Sequence, residues 1–60
     1  MDLLEISLDD QIASVAREIA MRERVYPRWV SAGKMKQATA EAEIERMKAV
    51  LATLKGLRPA

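Results

Sequence analysis

Two aliphatic stripes, each with spacings that alternate between four and three residues, constrain this chain more than any other feature. Leu8, Ile12, Val15 and Ile19 form the first. Ala40, Ile44, Met47, Leu51 and Leu54 form the second, with Val50 and Leu57 broadening it. Residues three and four apart share one face of an α-helix, so each segment reads as an amphipathic helix with a single apolar stripe. No segment alternates apolar and polar residues between turn residues, as a half-buried strand would. The helix formers Ala, Leu, Met, Glu, Lys, Arg and Gln dominate, and one Trp and one Tyr are the only aromatic residues. The expected fold is all-α: an antiparallel helical hairpin of two long helices with a short helical turn at the bend.

Local chemistry places the boundaries. Ser7 can accept a hydrogen bond from the amide of Asp10, and Asp10 can reach back to the amide of Ser7, a capping box with Asp in the position usually held by Glu. Asp9 and Asp10 also suit the positive end of a helix dipole. The residue before a proline is pushed away from helical geometry, so the first helix should end near Val25, ahead of Pro27. Pro27 can open a new turn, since its missing N–H is not needed there. That turn, or a kinked extension of the first helix, would end at Gly33 in the left-handed conformation. The second helix should begin at Lys36 or Gln37 and stop at Gly56 and Pro59. Residues 1–60 then form one domain, with 1–6 and 56–60 as frayed ends.

A lone hairpin of 60 residues offers one apolar seam, and the chain has no cysteine to staple it. Association is the simplest remedy, and a homodimer forming a four-helix bundle, or a hairpin completed by a partner, is expected. The dimer core would comprise Ile12, Val15, Ile19, Ile44, Met47, Leu51 and Leu54. Met35 and Met47 read as filler within such a core. Met21 lies off the first stripe, where it could touch the bend or another subunit.

The composition also excludes whole classes of chemistry. With no Cys and no His, the chain has no thiolate nucleophile, no imidazole base and no zinc site of the usual kind. Ser31-Ala32-Gly33-Lys34 matches the serine–lysine spacing of penicillin-binding enzymes but lacks their further motifs and large domain. Gly33-Lys34 lacks the upstream glycine, the following Ser/Thr and the preceding strand of a phosphate loop. Glu41 and Glu45 lie one helical turn apart, as on an ordinary solvated face. No catalytic residue, metal site or cofactor is expected, and the chain reads as non-enzymatic. No apolar run is long enough for a membrane span, and the acidic start is unlike a secretory signal, which points to the cytoplasm.

The net charge of +1 conceals a polarity. Asp2, Glu5, Asp9 and Asp10 precede any base, whereas Arg22, Arg24, Arg28, Lys34 and Lys36 surround the two aromatic rings. Glu18 and Arg22 form a favourably oriented i,i+4 pair. Tyr, Trp and Arg are the types enriched at binding hot spots, so Arg22, Arg24, Tyr26, Arg28, Trp29 and Lys34 are the candidate partner-binding residues. Within that set Trp29 should plug the end of the hairpin, leaving Tyr26 and Arg28 exposed. The same cations could instead contact phosphates in a nucleic-acid-binding dimer. Near-zero net charge and neighbouring carboxylates weigh against that alternative.

Glu18-Ile19-Ala20-Met21-Arg22, Val25-Tyr26-Pro27-Arg28-Trp29-Val30, Gly33-Lys34-Met35, Ala42-Glu43-Ile44 and Met47-Lys48-Ala49-Val50 together give the chain a recognisable pattern. Over residues 17–54, with the V-Y-P-x-W-V centre as its most specific part, it resembles short uncharacterised proteins of bacteriophages and prophages. The resemblance implies a small accessory protein in the cytoplasm of an infected or lysogenic bacterium, and it carries over no site residues. Joined to the Arg/Tyr/Trp cluster, it gives the expected function: binding and modulating, by inhibition, a host protein such as a defence factor.

Overall fold

A computed structural model describes residues 5–59. Helix α1 runs Leu8–Ser31 and helix α2 runs Gln37–Gly56, packed against each other as a helical hairpin. Arg22 meets Glu43 near mid-length and Asp9 meets Arg58 at the open end, which makes the helices antiparallel. The connection is residues 32–36, half the length expected, because α1 continues beyond Pro27. The part of the expected frayed start at 1–4 lies outside the described residues, as does Ala60 of the frayed end.

The caps explain where α1 starts and stops. Ser7 Oγ accepts from the Asp10 amide at 3.0 Å, but the Ser7 amide does not donate back to the Asp10 carboxylate, so half of the capping box forms. At the far end the Lys34 amide donates to the Trp29 carbonyl at 2.8 Å, and the Gly33 amide donates to Val30 at 3.0 Å. This pair of bonds is a Schellman closure, which needs a left-handed residue, and Gly33 supplies it with φ of 74°. Lys36 precedes α2 without a side-chain cap. Charges run from Asp9 and Asp10 to Arg28 along α1, whereas the first turn of α2 holds no acid and Glu41 enters only in its second.

Pro27 does not break α1. It cannot donate to the Glu23 carbonyl, but Glu23 and Pro27 are both exposed, so water can satisfy that oxygen. The apolar phase also continues across it: Ile12, Ile19 and Tyr26 lie seven apart, and all three are buried. Burial of Tyr26 against α2 outweighs the local bias of Pro27 against helix. Of the two expected arrangements, a separate turn or an extension of the first helix ending at Gly33, the extension forms, and α1 is one continuous helix.

Among the described residues Ala40 is the fourth that is buried, and it sits near the start of α2. The remaining residues of the expected dimer core, Val15, Ile44, Met47, Leu51 and Leu54, are half-buried within the single chain. The Cα positions span 46 × 25 × 13 Å, a slab one layer of helices thick.

Candidate partner-binding surface at the bend

The six candidate residues fall into two groups. Arg24, Arg28, Trp29 and Lys34 are exposed near the closed end, whereas Arg22 and Tyr26 are turned into the hairpin. Their phase on the helix explains the split. Arg22 and Tyr26 continue the seam of Ile12, Val15 and Ile19, while Arg24 and Arg28 lie on the outward face.

Arg22 serves as a latch between the helices. Its guanidinium donates to Glu18 Oε1 at 2.9 Å, lies 3.5 Å from Glu43 Oε2, and donates to the Glu43 carbonyl at 3.4 Å. It also lies over the Tyr26 ring, 5.8 Å from the centroid. The hydrogen bond it donates to Glu18 is the main cause that raises the Arg22 pKa above its ordinary value, partly opposed by desolvation and helped by the nearby Tyr26, Glu18 and Glu43. Arg46 holds the other oxygen of Glu43 at 2.8 Å. Glu18–Arg22 was legible as an i,i+4 pair. Glu43 was not, because its meeting with Arg22 depends on the register of two separate helices.

The two rings exchange their expected roles. Tyr26 is 8% exposed and Trp29 is 44% exposed. Counting outward from the Arg22–Glu43 level, Tyr26 falls beside the first turn of α2, where Ala40 leaves room for a ring. Trp29 falls opposite Lys36, where α2 has not begun and no helix can cover it. Its ring instead leans on Tyr26, with centroids 5.5 Å apart and planes at 32°. Tyr26 is the plug, and Trp29 is presented outward on top of it.

Around Trp29, the Schellman closure draws the Lys34 backbone against its carbonyl, and Arg28 adjoins it in sequence. Arg24, Arg28 and Lys34 form no ion pair with any described residue. The surface is thus an indole on a rigid helix end, edged by uncommitted cations, and no cavity occurs among the described residues. Such a surface suits a macromolecular face better than a small molecule. Among the described residues no helix is long and apolar enough to cross a membrane.

Fold and surface together define a two-helix hairpin that presents an aromatic–cationic end. No family model, curated protein or solved structure matches the chain.

Proposed function

We propose that this chain is a small non-enzymatic accessory protein of the phage type, acting as a homodimer, that docks on a host protein through the end of the hairpin and inhibits it. A defence factor is the kind of target that fits. The observation that carries this reading is Trp29, 44% exposed on a braced helix end. The exposed indole lies at the same end of the hairpin as the exposed cations Arg24, Arg28 and Lys34. Trp and Arg supply most binding energy at protein interfaces, while cations set on-rate and specificity. The partner face should be acidic around an apolar hollow that admits the ring.

The test combines Trp29→Ala with Arg24→Glu and Arg28→Glu, leaving the buried Tyr26 intact. The variant should keep its helicity and lose capture of the host protein retained by the wild-type chain. Trp29 is the only tryptophan, so its emission should shift to the blue when that protein is added. Retained capture by the folded variant would overturn the reading. Salt-sensitive binding of random duplex DNA, with no protein captured, would favour the phosphate-contacting alternative instead.

A further inference from the structure

We infer that one identified side of the hairpin is the surface on which a second copy of the chain docks, and that the two copies stack antiparallel. The inference rests on the homodimer in the reading above and adds the face and the orientation. Glu18 and Val25 lie seven apart along one edge of α1; Glu43, Val50 and Leu57 do the same along α2. Because Arg22 joins Glu18 to Glu43, those two edges lie on the same side of the molecule. That side carries Val50 at 44% and Leu57 at 65% exposure, with half-buried Val25 and Met21 toward the bend. The corresponding positions on the opposite edges include Glu23, Glu41, Lys48 and Lys55, all exposed and charged.

Surface area and size identify the occupant. The chain exposes 4812 Å², about 900 Å² more than the roughly 3,900 Å² of a compact monomer of 6.7 kDa. A stable interface takes about 800 Å² from each partner, so one matching copy would remove the excess. The radius of gyration of 14.4 Å likewise exceeds the roughly 10 Å of a compact chain of this length. A second hairpin laid on this side turns one layer of helices into two.

Charge sets the orientation. Between residues 24 and 40 the chain has Arg24, Arg28, Lys34 and Lys36 and no carboxylate. Parallel stacking would bring both basic bends together. Antiparallel stacking separates them and lays each beside the open end of its partner, where Glu5, Asp9 and Asp10 lie with Lys55 and Arg58, the latter paired with Asp9. The two-fold axis of such a stack crosses the helices, so α1 of each copy lies on α1 of the other and α2 on α2, with Val50 and Leu57 facing the second α2, Met21 and Val25 facing the second α1, and the polar latch near the axis. Each contact occurs twice, as a closed symmetric dimer requires.

Three measurements test this inference. Light scattering across a hundredfold concentration range should give a dimer. Val50→Ala with Leu57→Ala, which preserves helix propensity, should weaken it at least about tenfold, with helicity recovered at high concentration. Ala49→Glu, on the outward face of α2, should change nothing. Because the chain has no cysteine, Ser31→Cys gives a single spin label near the bend, and the two labels should lie more than about 30 Å apart, close to a helix length. A monomeric wild type would overturn the homodimer and this inference with it. A dimer indifferent to Val50 and Leu57 would leave the homodimer standing and refute the face; labels closer than about 20 Å would refute the orientation.

Discussion

Tyr26 and Trp29 are separated by three residues, and the difference between them is a matter of level along the hairpin. Tyr26 sits where α2 begins, so its ring displaces water from both helices. Trp29 sits beyond that point and keeps nearly half its surface in solvent. The two truncations should therefore differ. Tyr26→Ala should cost about 3 kcal/mol, the range for emptying a buried aromatic site. Trp29→Ala should cost about 1 kcal/mol, since it loses mainly the packing of one ring on another. Urea denaturation monitored by circular dichroism would separate them, and equal losses would mean that Trp29 is also a structural plug. The rings could be recognised as the informative pair from residue type alone. Their roles could not, because an assumed break before Pro27 discards the phase that links Tyr26 to Ile12 and Ile19.

At the scale of the helix, sequence chemistry was a reliable guide wherever a local bond decides the outcome. Ser7 starts α1 and Gly33 closes it, each for a reason carried by one side chain or by its absence, whereas α2 runs through Gly56 and stops there without a left-handed residue. It failed at Pro27, where the local preference opposes a longer-range gain. A proline in a helix interior forfeits a hydrogen bond and crowds the preceding turn, at a cost of about 3 kcal/mol. Pro27→Ala should recover part of that, raising stability by about 1 to 2 kcal/mol. Unfolding midpoints of the two proteins under identical conditions would check it. A loss of stability would mean that the proline ring itself packs productively. The gain should come without loss of partner binding, because Pro27 is exposed and α1 is already continuous through it.

For the molecule as a whole, the hairpin was legible because two stripes and a short connection admit few other arrangements. The register between the helices was not, and the Arg22–Glu43 and Asp9–Arg58 pairs could be seen only once it was fixed. Among the described residues only Ile12, Ile19, Tyr26 and Ala40 are buried, none of them completely, which is a small core for a chain meant to stand alone. If the second layer comes from another copy, folding and association are linked. The thermal midpoint should then rise with protein concentration, by several degrees over a hundredfold range. A midpoint independent of concentration would show a hairpin that is stable by itself.

The pairing of Asp9 with Arg58 also has a mechanical consequence. It places both helix ends on one side of the molecule, so a force drawing them apart meets the layers in series, not all at once. The hairpin would open as a zipper does, from Asp9–Arg58 through Ile12 and Ile19, and the last tooth to part is Tyr26 beside Ala40. Thermal fraying follows the same order, because outer layers open at lower free energy than inner ones. The end that carries Trp29 would thus stay assembled while the opposite end breathes.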